Sequence, residues 1–155
     1  MPAETAVRNQ LALGLSHTLY HATEENNLKR RDDLLQELRL LAQTRPAETI
    51  LREQLAKGLS NALYHATEEN DPKRRDDLLQ ELRALAYAHP AEAAVREQLA
   101  KGLFNTLIDA KEENDTKRQD DLLKELQSLS EKFPDDPSVK DAFDSGLKLA
   151  PGETS

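Results

Sequence analysis

The sequence predicts an all-α fold: an α-solenoid of three antiparallel helix pairs closed by a C-terminal capping helix, seven helices in one domain. Three observations predict it. Gly14, Gly58, Gly102 and Gly146 stand 44 residues apart, and Pro2, Pro46, Pro90 and Pro134 keep the same step. Apolar residues recur every three or four positions, the spacing of one helical face. No stretch alternates with the period of two that a half-buried strand needs. In this phase the chain divides into repeats 2–45, 46–89 and 90–133, a capping helix 134–150 and a tail 151–155. The first two repeats agree at 32 of 44 positions and the second and third at 27 of 44. The period is therefore one of residues and not only of hydrophobic pattern.

Each repeat reads as two helices. In repeat two the first is expected to begin at Pro46, Ala47 and Glu48. Proline is tolerated in a first helical turn and a carboxylate suits the positive end of the helix dipole. Leu51, Leu55, Leu59, Ala62, Leu63 and Ala66 then form one stripe, and Glu68-Glu69-Asn70 ends it. Asp71-Pro72 has the form of an N-cap followed by proline at the first helical position. Leu78, Leu79, Leu82, Leu85 and Ala86 make the apolar face of the second helix, which stops before Pro90. The remainder keeps the register: Val139, Phe143, Gly146 and Leu147 stand where repeat three has Val95, Leu99, Gly102 and Leu103. Its other positions are polar, as the last helix of an array requires. A glycine inside a helix costs about 1 kcal/mol against alanine. Its recurrence at Gly14, Gly58, Gly102 and Gly146 therefore predicts inter-helix packing, through close approach of a neighbouring helix backbone.

Tandem helix pairs, a small residue in the first helix and a boundary proline resemble the tetratricopeptide repeat family. Anchored on Pro90, the family's apolar–small–x–x–large element falls on Leu99-Ala100-Lys101-Gly102-Leu103, and its second-helix positions fall on Leu78, Leu82 and Leu85. The unit of 44 residues exceeds the family's usual 34, so each helix is about one turn longer. Where the family places an early aromatic, this chain has Val95 and Arg96. HEAT and armadillo repeats match the period better, and the proline and glycine less well. The resemblance implies a role in protein binding, on a groove lined by the first helix of each repeat.

Composition narrows the chemistry. The chain of 155 residues has no Cys and no Trp, and only Gly152 stands outside the glycine series. Disulfide scaffolds, thiolate metal sites and thiol nucleophiles are excluded, and glycine-rich phosphate loops have too little glycine. A net charge of −8 argues against nucleic-acid binding, which needs clustered Lys and Arg. No apolar run reaches the ~20 residues of a membrane span, and MPAETAVRNQ lacks the basic start and apolar stretch of a signal peptide. A cytoplasmic protein with no enzymatic activity and no cofactor is expected.

The candidate groove residues lie opposite the leucine stripe of the first helices: Gln54, Lys57, Asn61, Tyr64 and His65 in repeat two, Gln98, Lys101 and Asn105 in repeat three, His17, Tyr20 and His21 in repeat one. Such side chains bind an extended peptide through its backbone and termini. The pairs Lys57–Asn61 and Lys101–Asn105 resemble the family's carboxylate clamp, in a different register. His17 and His21 with Glu24 have a spacing compatible with a divalent metal, but no fourth ligand is evident, and no metal site is expected. The repeated pairs Asp32-Asp33, Asp76-Asp77 and Asp120-Asp121 follow basic residues and read as solvated charge pairing. Leu13, Leu28 and Leu40 of repeat one stand where inner repeats are polar or small. They are the candidates for self-association, as a homodimer or head-to-tail oligomer, the alternative to a peptide-binding role.

Overall fold

The computed structural model describes residues 2–24 and 27–149, and these form seven helices with no strand among them. They are α1 (Pro2–Glu24), α2 (Leu28–Thr44), α3 (Thr49–Glu68), α4 (Pro72–Ala88), α5 (Ala93–Glu112), α6 (Thr116–Lys132) and α7 (Pro137–Leu149). The all-α class matches expectation. Each first helix packs on the second of its own pair, α1 on α2, α3 on α4 and α5 on α6. The first helices also pack in series, α1–α3–α5–α7, and each second helix meets the next first helix. Each of these packed pairs joins helices one or two places apart in chain order. The predicted tail 151–155 and residue 150 of the predicted cap lie outside the described residues.

The turns within pairs follow their sequence closely. Asp71 and Asp115 cap α4 and α6 by accepting from the backbone N–H of Arg74 and Arg118, each at 3.1 Å, and Asn27 caps α2 in the same way. Asn70 and Asn114 take the left-handed conformation, at φ 55° and 58°. Asparagine enters that region more readily than other non-glycine residues. The next N–H, of Asp71, then reaches the carbonyl of Ala66 at 2.9 Å and closes the end of α3. Asp71 thus ends one helix with its backbone and starts the next with its side chain.

The turns between pairs differ from expectation. Pro46 and Pro90 do not open a helix: α3 starts at Thr49 and α5 at Ala93. The N–H groups of Glu48, Glu92 and Asp136 bond back to the carbonyls of Arg45, His89 and Phe133. Each boundary proline thereby occupies the second position of a β-turn, where its fixed φ is equally favoured. Glu48 and Glu92 stand at the N-cap but make no side-chain cap bond. Their carboxylates are taken by arginines of the preceding first helix. Arg8 Nε lies 2.9 Å from Glu48, Arg52 Nε 2.9 Å from Glu92, and Arg96 Nε 3.0 Å from Asp136. The hydrogen bond from Arg8 holds the Glu48 carboxyl below its ordinary range. A second ladder joins the second helices, with Arg39 on Glu81 and Arg83 on Glu125.

The glycines also need correction. A Cβ at Gly58 would meet Leu19 Cδ2 at 2.9 Å and Leu35 Cδ1 at 3.1 Å, and one at Gly102 would meet Leu63 Cδ2 at 2.8 Å and Leu82 Cδ1 at 3.2 Å. Gly146 meets Leu107 and Leu123 likewise. The close neighbours are leucine side chains of the preceding repeat and not helix backbone. At Gly14 nothing lies within 4 Å, since among the described residues no helix pair packs on that side of α1 to supply the leucines. Val7 shows the same asymmetry: it is 67% exposed, whereas Leu51, Val95 and Val139 at the same register are completely buried. At the other end α7 covers repeat three through Val139 and Gly146.

Candidate functional site

Packing α3 beside α5 creates a cleft of about 380 Å³ lined by Lys57, Asn61 and Tyr64 from α3 and by Gln98, Lys101, Phe104 and Asn105 from α5. Six of the candidate groove residues meet here. Their convergence follows from the repeat. Lys57 and Lys101, like Asn61 and Asn105, hold one register on neighbouring helices, and residues four apart on a helix share a face. Lys101 has Glu97 at 3.3 Å on its own helix. Lys57 makes no ion pair among the described residues.

A second cleft continues from the first through Tyr64 and Asn105 and is lined further along by Glu68, Ile108, Asp109 and Glu112. The groove is therefore basic at one end and acidic at the other. Tyr64 stands at the junction. Its hydrogen bond to Glu68, and the charge of that carboxylate, hold the phenol above its ordinary range. Ile108, on the same first-helix face, lines the groove as the sequence pattern suggests, and Phe104 and Ser60 line it at positions the pattern does not mark. Phe104 replaces the serine of repeat two, and an aromatic among polar first-helix positions was the signal available.

Two candidates are placed otherwise than expected. Gln54 and Gln98 are buried rather than opposite the apolar stripe. An inner first helix packs against four others, its own partner, the preceding second helix and two first helices, so its buried sector is wider than its leucine stripe. Gln98 still forms the floor of the cleft, and Gln54 does not reach it. Asp109 is also buried: it pairs with Arg75, itself within 3.7 Å of Glu113.

The residues of repeat one stand apart from this cleft. His17, Tyr20 and His21 are exposed on α1. The imidazoles of His17 and His21 are edge to face with Nε2 atoms 3.2 Å apart, and Tyr20 packs edge-on against His21. The Glu24 side chain lies outside the described residues. Among those described, no group of three or more His, Asp or Glu is arranged to hold a metal ion. His65 is half-buried beside Tyr64 and lines neither cleft. The aspartate pairs behave as read: Asp33, Asp77 and Asp121 face Lys29, Lys73 and Lys117 one turn away, and Asp32 meets Arg74 of the next repeat.

Leu13, Leu28 and Leu40 are all exposed, between 43% and 51%, but they do not form one patch. Leu13 holds the register of Lys57 on the groove side, Leu28 that of Pro72 at a helix start, and Leu40 that of Ala84 on the second-helix side. Val7, 67% exposed, and Leu11, 49% exposed, form another apolar exposure of repeat one, on the end face beside Gly14. Among the described residues no helix is long and apolar enough to cross a membrane. Comparison with protein-family models, curated proteins and solved structures finds no match to this chain.

Proposed function

We propose that this chain is a non-enzymatic interaction module that holds a peptide segment of a partner protein in the α3–α5 groove. The observation that supports this reading most is the convergence of Lys57, Lys101, Asn61, Asn105 and Tyr64 on one cleft, continuous with an acidic one. Paired asparagines supply donors and acceptors for a peptide backbone, and the lysines supply charge for carboxylates. From Lys57 to Glu68 is eleven residues of helix, about 16 Å. That length matches about five residues of extended chain. The fitting segment carries carboxylates toward Lys57 and Lys101 and basic side chains toward Glu68 and Glu112. The resemblance to tetratricopeptide repeats points the same way, and a cysteine-free chain suits the reducing cytoplasm.

Fluorescence anisotropy with labelled hexapeptides tests the reading. A peptide acidic at one end and basic at the other should bind, and all-acidic and all-basic controls should bind at least tenfold more weakly. Lys57→Glu with Lys101→Glu should weaken the first by tenfold or more. Equal affinity for all three peptides, or an indifferent double variant, would remove the groove from consideration.

The end face of α1 supports a second reading, self-association with a second copy of the chain. Val7 and Leu11 occupy positions that repeats two and three bury under their neighbours, and Gly14 leaves space there for an apolar side chain. Sedimentation should then show a concentration-dependent dimer that Val7→Lys with Leu11→Lys converts to a monomer. A monomeric parent at every concentration would eliminate it.

A further inference from the structure

A second open site lies on the other side of the stack, where α2, α3 and α4 meet. It is a cleft of about 350 Å³ walled by Leu55, Leu59, Ala84, Leu85 and Ala88, with the Arg39–Glu81 pair at its rim. The repeat itself shows what such a cleft accommodates, because the same positions recur one unit later between α4, α5 and α6. There the rim pair is Arg83–Glu125, and the position of Gln43 is held by Tyr87. Tyr87 donates its phenol O–H to Glu125 at 2.7 Å. Burial and the hydrogen bond to Glu125 push that phenol well above its ordinary range. The position of His89 is held by Phe133, whose ring lies 3.9 Å beneath the Arg96 guanidinium.

The first cleft keeps the frame but has neither the phenol nor the phenyl ring. Arg39 holds Glu81 at 2.6 and 2.9 Å, as Arg83 holds Glu125. Gln43 stands at the position of the tyrosine and the smaller imidazole of His89 at that of the phenylalanine, and no hydroxyl among the described residues bonds Glu81. The leucine at the cleft wall responds accordingly. Tyr87 is itself 48% exposed, but Leu129 is 2% exposed, whereas Leu85 at the same register is only half-buried. A volume near the lower limit of ligand pockets suits one aromatic side chain rather than a large molecule.

We infer that the α2–α3–α4 cleft receives a tyrosine side chain of a partner protein. The ring lies over Leu85 and the alanines of α4, and the phenol donates to Glu81, as Tyr87 does to Glu125. An aromatic body with one polar end is the group this mixture of apolar wall and carboxylate rim selects. The site is independent of the α3–α5 groove, since the two share no lining residue.

The probe is N-acetyl-tyrosinamide, titrated at millimolar concentration into the full chain with methyl resonances observed by NMR. Saturable shifts are expected at Leu55, Leu59 and Leu85, with N-acetyl-phenylalaninamide about tenfold weaker for want of the bond to a charged acceptor. Gln43→Tyr should fill the cleft from within, abolish the shifts and raise the melting temperature. Glu81→Gln should bring the tyrosine and phenylalanine probes to similar affinity while the fold persists. Equal affinity of both probes for the parent, no saturable shift, or unchanged binding to Gln43→Tyr would each overturn the inference.

Discussion

Asp109→Ala is expected to lower folding stability by about 3 kcal/mol and the melting temperature by roughly 6–12 °C. Asp109 and Arg75 are 6% and 5% exposed and joined by a direct hydrogen bond. A buried ion pair gains little over a well-packed apolar pair, but deleting one partner leaves the other charge inside without compensation. The usual cost of 3–5 kcal/mol is moderated here, because Arg75 keeps Asp76 at 3.1 Å and Glu113 at 3.7 Å. Arg75→Leu with Asp109→Leu should therefore lie closer to the parent than Asp109→Ala alone. Thermal melts followed by circular dichroism measure both. An Asp109→Ala protein melting within 2 °C of the parent would refute the buried-pair account. The preceding repeat shows the alternative that evolution or chance left in place. His65 stands at the Asp109 register, and Arg31 there has only Glu69, at 3.4 Å, with Nε and Nη2 lacking hydrogen-bond partners.

Gly102→Leu should cost about 3 kcal/mol, more than any helix-propensity argument allows, since leucine is the better helix former. The Cβ alone would sit 2.8 Å from Leu63 Cδ2 and 3.2 Å from Leu82 Cδ1. Those atoms end flexible side chains, but Leu63 and Leu82 are completely buried in the central core and have nowhere to move. Gly14 is the internal control, with the same register and the same helical conformation but no neighbour within 4 Å. Gly14→Ala should stabilise by about 1 kcal/mol, and Gly102→Ala should fall between, as propensity gained offsets crowding. Urea midpoints of the three variants read the difference. If Gly14 and Gly102 respond alike, the glycine is not a packing position.

Gly58, Gly102 and Gly146 show how far a repeat can be read without coordinates. Their spacing located the helix pairs, and leucine recurrence located the buried stripes, because both are local consequences of helical geometry. The Asp71 cap and the polar faces of the aspartate pairs were legible for the same reason. Other features depend on what lies across an interface. Whether Glu48 caps its helix or pairs with Arg8 is a competition between a local bond and one forty residues away. Whether Gln54 faces solvent depends on how many helices surround α3.

The candidate groove divides along the same line. That Lys57, Asn61, Lys101 and Asn105 share a register follows from the period. That they meet in one cleft, while His17, Tyr20 and His21 stand outside it, follows from the stacking of α5 on α3. The all-α class, the seven helices and most of the core leucines are legible from the sequence, since each rests on a periodicity that a single helix already expresses; Leu85 and Leu147, on the same stripes, are half-buried and exposed. Which glycines are crowded and which ion pairs are buried depends instead on how the helices pack against one another. Those properties belong to the neighbour of each repeat, and a repeat at the end of the stack has the same sequence signal with one neighbour missing.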